Sequence, residues 1–428
     1  MKTLSYNCNV LIVGGGPAGM AAAHAVAQSD KTVLIVDDNP ALGGQIWRGE
    51  HKAFEPSPSR SWFTKVQTSA IQFLPGARVV SQPEVGLLIA ETANGRYELR
   101  FRKLILATGA REQFLPFPGW TLPNVMGAGG LQALVKGGLP IAGQRVVVAG
   151  SGPLLLAVAA YLKKQGAEVL LIAEQAAFVR LSRFTLGLLA DYSRAKQAFQ
   201  LNRSLRRVPY HLSCWVVAAE GNNKLESVRL HQGRMVWDAA CDYLACGYHL
   251  LPNLELPMLL GCKVQQGNVY VDDFQQTSLP GVYAAGESTG IGGLDLSLIE
   301  GQIAGLAAGG MLNEARRLFR ARARLLRFAH LLNCTFALRH ELKGLPTAET
   351  IVCRCEDVTF ARLQAFDSWR AAKLQTRCGM GPCQGRICGP ATEFLFDWQV
   401  ESVRPPIFPA RVDSLTRVSE SESEGLVA

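Results

Sequence analysis

With 428 residues, 48% of them hydrophobic and 18% charged, the chain is too long for one simple core and has an ordinary globular composition. This excludes a fibrous or wholly disordered protein and predicts two or three domains. Lys and Arg outnumber Asp and Glu by 44 to 35, a formal charge of +9, which many globular proteins carry without a polyanionic partner, so no nucleic-acid binding is expected.

The N-terminal segment reads Val10–Gly19, VLIVGGGPAG, then an Ala-rich helical stretch and a second apolar strand ending at Asp37 and Asp38. Gly14, Gly16 and Gly19 have the GxGxxG spacing, with Pro17 and Ala18 opening the helix. In such a unit the first glycine makes the tight turn, the second lets backbone approach a pyrophosphate, and the third allows close helix packing. The helix N-terminus then offers N–H groups and a positive dipole to the anion. A carboxylate at Asp37 is placed to accept ribose hydroxyls. The apolar start runs into this turn and not into a cleavage site, so no secretory leader is expected. No stretch reaches the about 18 consecutive apolar residues of a membrane helix. A cytoplasmic protein without a transmembrane segment is therefore expected.

Further on, RYELRF and KLILATG read as a hairpin strand and a return strand, with Asn94-Gly95 as the turn. A second strand–turn–helix unit follows at Val146–Leu156, with Gly150 and Gly152 in the turn and Glu174 ending the next strand. Its third glycine position holds Leu155, a large side chain where helix and strand should approach closely. The unit therefore binds NAD(P)H or another nucleotide, or is a scaffold that keeps the fold without the ligand. SVRLHQGRMVWDAACDYLACG repeats the strand–turn–strand–glycine logic, and VYAAGE returns the chain to the first unit near Gly286. From Asn313 to about Leu342 the pattern is helical, with six arginines between Arg316 and Arg327 that read as a solvated face over the core.

Eleven cysteines in a reducing compartment point to metal or redox work more than to structural disulfides. Five of them, Cys353, Cys355, Cys378, Cys383 and Cys388, crowd into one segment reading CRCEDVTF … RCGMGPCQGRICGP. Soft thiolates on glycine-containing loops suit an iron–sulfur cluster or zinc. Cys241 and Cys246 sit in an apolar strand and read as core thiols.

Leu104–Gly109 (LILATG, with Thr108 and Gly109) and Thr277–Glu287 (TSLPGVYAAGE, with Gly286 and Glu287) resemble stretches of the two-dinucleotide-domain flavoprotein reductases. The resemblance implies that the second stretch lies along the FAD pyrophosphate and ribityl chain. Glu287 stands where that family usually has Asp. Gly43-Gly44-Gln45 is similar to the segment passing near the flavin, so Gly44 and Gln45 join the expected FAD site. Disulfide reductases of this architecture carry a cysteine pair after the first acidic strand or in the second domain. No cysteine occurs here between Asp37 and Cys214, and thiol–disulfide catalysis is set aside.

The cysteine segment resembles the [2Fe-2S] domain of the bacterioferritin-associated ferredoxins, with a CxC pair and a second pair in CxxxxC form. That resemblance implies Cys353, Cys355, Cys383 and Cys388 as ligands and Cys378 as a neighbouring thiol. GGGPAGMAAA, LGGQIWR, LATGARE, VMGAGGLQALVKGG, GSGPLLLAVA, CGYHLLPNLEL and AAGESTGIGG, with the cysteine segment, together resemble the electron-transfer subunit of heteromeric bacterial amine dehydrogenases. This group includes opine oxidases, D-hydroxyproline dehydrogenase, dye-linked L-proline dehydrogenases and hydrogen cyanide synthase.

Membership implies an α/β fold of two Rossmann-like dinucleotide-binding domains in the disulfide-reductase FAD/NAD(P) arrangement, plus a small helical [2Fe-2S] domain. The expected boundaries are 1–115 with 265–312 for FAD and 116–264 for the second nucleotide fold. A helical connector spans 313–345, the cluster domain 346–412, and a disordered acidic tail 413–428. Membership also implies an FAD-dependent amine-oxidase-type catalytic partner, a small ferredoxin-like [2Fe-2S] subunit beside it, and, in some members, FMN held between subunits. No catalytic nucleophile or base is expected in this chain. The role implied is relay of electrons from oxidation of the C–N bond of an amino acid, imino acid or opine. Two other roles stay open: a self-sufficient NAD(P)H-dependent reductase feeding its own cluster, and a non-catalytic scaffold or redox sensor.

Overall fold

The computed structural model describes residues 3–50, 58–67, 70–188, 196, 199–201, 203–400 and 402–416. The first unit is built on a parallel sheet ordered Ile71–Leu74, Val33–Val36, Thr3–Val13 and Arg96–Leu106. Apolar runs such as VLIV at 33–36 are buried throughout, as strands covered on both faces must be. Val282–Ala284 pairs in parallel with Leu104–Leu106, so residues after the second unit close the first. The helix Leu294–Gly309 then packs on the helix Pro17–Val26. Their contact is close enough that a Cβ on Gly301 would lie 2.2 Å from the Ala18 carbonyl oxygen.

RYELRF and KLILA are one continuous strand, Arg96–Leu106, and not two. The hairpin made by the Asn94-Gly95 turn joins it to Leu87–Glu91, which lies antiparallel to its first half. One strand can serve both partners because its two halves are paired at different positions along its length: Leu87–Glu91 at 96–100 and Val282–Ala284 at 104–106.

The second unit is a five-stranded sheet ordered Tyr210–Leu212, Glu168–Glu174, Arg145–Ser151, Tyr243–Tyr248 and Val125–Gly127. A three-stranded antiparallel sheet, Cys214–Glu220, Ser227–Gln232 and Met235–Ala240, stacks its apolar face on it. Cys214, Cys241 and Cys246 are buried in this core, and desolvation pushes each thiol up to about 12, in agreement with a packing role.

The connector comprises the helices Leu312–Arg317 and Phe319–Thr335 and the 3-10 turn His340–Gly344. Most of its arginines face outward, but Arg322 turns in to the buried Glu300. The cysteine unit follows, with its own small core of Val352, Val358, Leu363, Trp369 and Trp398. The last described residues leave that unit. Ile407 N–H donates to the Val80 carbonyl, and Phe408 and Ala410 pack on Val80, Leu87 and Ile89. Of the acidic tail expected over 413–428, residues 417–428 lie outside the described residues. The part before them is ordered instead: Val412–Leu415 is a helical turn, and Arg96 donates to the Thr416 carbonyl. Arg96, on an interior strand of the first sheet, gives this segment a partner that its composition does not reveal. Among the described residues, no helix is long and apolar enough to cross a membrane.

Candidate functional site

The first glycine turn is shaped by backbone contact. Gly14 has φ +110°, and a Cβ there would fall 2.1 Å from the Ala107 carbonyl oxygen. A Cβ on Gly19 would fall 1.9 Å from the Gly14 carbonyl oxygen. The first and third glycines are thus required by the protein's own packing. Gly16 differs: the nearest atom to its added Cβ is the Gly44 Cα at 3.8 Å. Gly43 N–H donates to the Gly15 carbonyl at 2.8 Å, which lays the Gly43–Gln45 segment along the turn. Gln45 is exposed and accepts from Arg48.

Asp37 accepts from the N–H of Gly15 and from the N–H and side-chain amide of Asn39. Asp38 is exposed beside it and meets Arg78 at 3.7 Å. Partial desolvation of this half-exposed side chain and the neighbouring Asp37 raise the Asp38 carboxyl above its ordinary value. Thr108 and Gly109 are stitched to Asn253, which follows the second unit: Thr108 Oγ1 donates to the Asn253 carbonyl at 3.0 Å, and Asn253 Nδ2 donates to the Thr108 carbonyl at 2.9 Å.

At the other end of the cradle, Gly286 N–H donates to Glu300 Oε2. Glu300 is fully desolvated, which raises its carboxyl, and the Arg322 guanidinium opposes that rise. Glu287 Oε1 accepts from Gly293 N–H at 2.9 Å, while its Oε2 is buried and without a partner among the described residues. Burial pushes the Glu287 carboxyl up to about 7. An unsatisfied buried acceptor is costly, and a hydroxyl-bearing chain such as a ribityl group would satisfy it. The turn, the acid and this oxygen together fit an adenine dinucleotide such as FAD.

The second turn repeats the backbone but not the opening. A Cβ on Gly150 would fall 1.8 Å from the Gly247 carbonyl oxygen, the same packing requirement as at Gly14. Leu155 fills the core beneath the turn together with Val146 and Val148. Glu174 is fully buried and both its oxygens are used, one by Gly152 N–H at 2.7 Å and one by Ala176 N–H at 2.8 Å. The end of the connector lies against the turn. Ser151 Oγ donates to the Phe336 carbonyl at 3.0 Å. Gln175 Nε2 donates to Ser151 Oγ at 2.8 Å and reaches the Phe336 and Ala337 carbonyls. Phe336 packs with Ala176 and Phe184. Glu174 therefore has no free oxygen and no exposed surface in this arrangement.

In the third unit all five cysteines converge. The sulfurs of Cys353, Cys378 and Cys388 lie within 4.8 Å of one another. Thiol hydrogen bonds extend the group from Cys388 to Cys383 and from Cys383 to Cys355. Donation from Cys378 and Cys388 holds the Cys353 thiol far below its ordinary range, and donation from Cys388 lowers Cys383 to about 5. Cys378, expected as a bystander, therefore belongs to the tightest part of the group, while Cys355 is the exposed member. Glycine permits the close wrapping: a Cβ on Gly381 would lie 2.3 Å from the Cys355 Cβ. Four thiolates from this set match the donor chemistry of an iron–sulfur cluster. Sequence reasoning also missed Arg111, Asn253, Glu255 and Arg386, which join the first unit to the cysteine loop. Nothing in their local sequence marks them, since their partners come from distant segments.

Residues 8–304 match the pyridine nucleotide-disulphide oxidoreductase family. Hydrogen cyanide synthase subunit HcnB of Pseudomonas aeruginosa is 31% identical, over 89% of this chain and 91% of its own. An opine oxidase subunit of Rhizobium meliloti is 29% identical, over 96% and 99%. Among solved structures, L-proline dehydrogenase from P. horikoshii superposes with a TM-score of 0.68 at 20% identity, over 97% of this chain and 81% of that one. Thioredoxin reductase of T. acidophilum superposes at 0.56 with 22% identity, over 71% and 98%.

Proposed function

This chain belongs to the pyridine nucleotide-disulphide oxidoreductase family, and from that premise we propose which electrons it carries. Its relatives make it a redox subunit of a dehydrogenase or oxidase. The reading is that it holds FAD at the first turn and a [2Fe-2S] cluster on four of the five C-terminal cysteines. It relays electrons released when an FAD-dependent partner subunit oxidises the C–N bond of an amino acid, imino acid or opine. The names of the relatives, an opine oxidase and a proline dehydrogenase, support that substrate class.

One observation carries the choice: the connector end and Gln175 hydrogen-bond to Ser151 in the second turn, beside the fully buried Glu174. The connector contacts at the second turn favour electrons arriving from elsewhere than a nicotinamide dinucleotide bound there, and a partner subunit is the source that the relatives' names support. When bound, FAD supplies two-electron acceptance and the cluster one-electron transfer. The chain's own residues do the placing. N–H groups after Gly16 would face the pyrophosphate of the bound group. Glu287 Oε2 would accept from the ribityl hydroxyls of the bound group, and Glu300, paired with Arg322, accepts from Gly286 N–H.

The test is an anaerobic visible spectrum of the purified chain with NADH, then with dithionite, then with the co-expressed catalytic partner and an amine or opine. Oxidised flavin and cluster that ignore NADH and respond to dithionite and to partner plus substrate are expected. Direct bleaching by NADH would overturn the reading in favour of a self-sufficient reductase.

A further inference from the structure

The loop between Cys383 and Cys388 carries one large charged side chain, Arg386, and the first unit takes hold of it. Arg386 Nη2 donates to the Ile407 carbonyl at 2.7 Å, and Nη1 donates to the Cys383 carbonyl at 3.3 Å. Its guanidinium lies 3.9 Å over the Phe408 ring. Its Nε is 3.6 Å from Glu255 Oε1. Arg111, two residues past Gly109, donates from Nε to the Arg386 carbonyl at 3.2 Å. The same Arg111 reaches Glu255 Oε1 at 2.9 Å and Asn253 Oδ1 at 2.8 Å.

Two cations and one anion are therefore clamped at the foot of the cysteine loop, and their side chains are only 15%, 23% and 19% exposed for Arg386, Arg111 and Glu255. The other arginines near the cysteines are different. Arg354 is exposed, and Arg377 is 68% exposed and paired with Glu356, so water screens both.

We infer that Arg386, seated by Glu255 and Arg111, is a positioning residue that docks the cysteine loop on the first unit and sets the reduction potential of the cluster held there. The inference rests on the reading that these cysteines hold an iron–sulfur cluster. The physical reason is charge. A [2Fe-2S] centre on four thiolates takes one electron and no proton, so its net charge goes from −2 to −3. A fixed, weakly screened cation beside the ligands favours the more negative form and raises the potential, and a fixed anion lowers it. The net charge of the clamp is +1, from Arg386, Arg111 and Glu255. The clamp therefore poises the cluster as an acceptor for electrons arriving from the flavin side.

The experiment is a dithionite redox titration of the full-length chain, followed by the electron paramagnetic resonance signal of the reduced cluster. It is run on wild type, Arg386→Gln, Arg386→Lys and Glu255→Gln, with iron and sulfide analysis of each. Arg386→Gln should move the midpoint to a more negative potential, and Arg386→Lys should restore most of the shift. Glu255→Gln, which removes the anion, should move it the opposite way. A purely structural loosening of the loop would move the Gln variants in the same direction. That result, or no movement in either, overturns the inference while leaving the cluster in place. If Arg386→Gln does not fold, the direction of Glu255→Gln alone decides. Wild-type chain without iron and sulfide would overturn the cluster reading itself, and this inference with it.

Discussion

Asp37 and Glu174 hold the same place in two units built alike. Each ends the strand that follows a glycine turn, and each accepts an N–H from that turn. Gly14 and Gly150 are required by the same close approach to a neighbouring strand, so the two backbones are near copies. The difference lies in what comes to rest on each. Over the first turn lies a glycine segment, Gly43-Gly44, with few atoms to fill space. Against the second lies the end of the connector, whose Phe336 carbonyl and aromatic ring take up Ser151, Gln175 and Ala176. The second turn thus carries contacts to the end of the chain's own connector where the first carries contacts to a glycine segment. The motif describes a backbone, and occupancy is decided by the segments packed against it.

The largest effect that tests this pairing is expected at the shared glycines. Gly14→Ala and Gly150→Ala each drive a Cβ into a carbonyl oxygen at positive φ, and each should cost roughly 3 kcal/mol or more, read as loss of soluble folded protein or a steep fall in Tm. Tolerance of one but not the other would show that the two backbones are not equivalent.

A pH effect of similar order is expected from Glu174. Burial raises its carboxyl from the ordinary 4.5 to about 7 in the folded chain. A folded-state value above the unfolded one favours the protonated form, so its contribution is fully present below pH 4.5 and is lost as pH rises through about 7. The span corresponds to about 3 kcal/mol at most. Melting curves across that window should show a slope that is flattened in Glu174→Gln, whatever the variant's absolute stability. An unchanged slope would mean that water reaches Glu174, and the sealed second turn would have to be abandoned.

A smaller loss, about 1–2 kcal/mol, is expected for Gln175→Ala, which removes the buried donor to Ser151, Phe336 and Ala337. Limited proteolysis should then cut the connector faster. Smallest in stability is Gly16→Ala, whose Cβ has ordinary room beside Gly44. Its Tm should move little while the bound nucleotide is lost on gel filtration. If flavin is retained, the second glycine of the first turn does not face the pyrophosphate.

The turns, their acids and the cysteine spacing were legible because each is a local demand. A strand that must reverse into a helix within six residues needs glycine at set places, and thiols that converge on one centre must sit on short loops. The role of Leu155 was half legible: its bulk marked the second turn as unusual, but not what covers it. The placement of Cys378 was not legible, because which thiols converge depends on how two loops and a short helix fold over Trp369. Reading 96–106 as two strands failed for a related reason, since nothing local tells one long strand with two partners from two short ones.

By itself the sequence determined the backbone classes: two strand–turn–helix units, a helical connector and a cysteine-rich end, all from short-range steric and hydrophobic rules. Only the tertiary structure decided that the connector closes the second turn, that Glu287 is left with an unpartnered oxygen, and that Arg386 meets Glu255 and Arg111. The first and last of these depend on segments separated by more than a hundred residues. Such contacts form because burial brings the units together and most buried polar groups then find a partner.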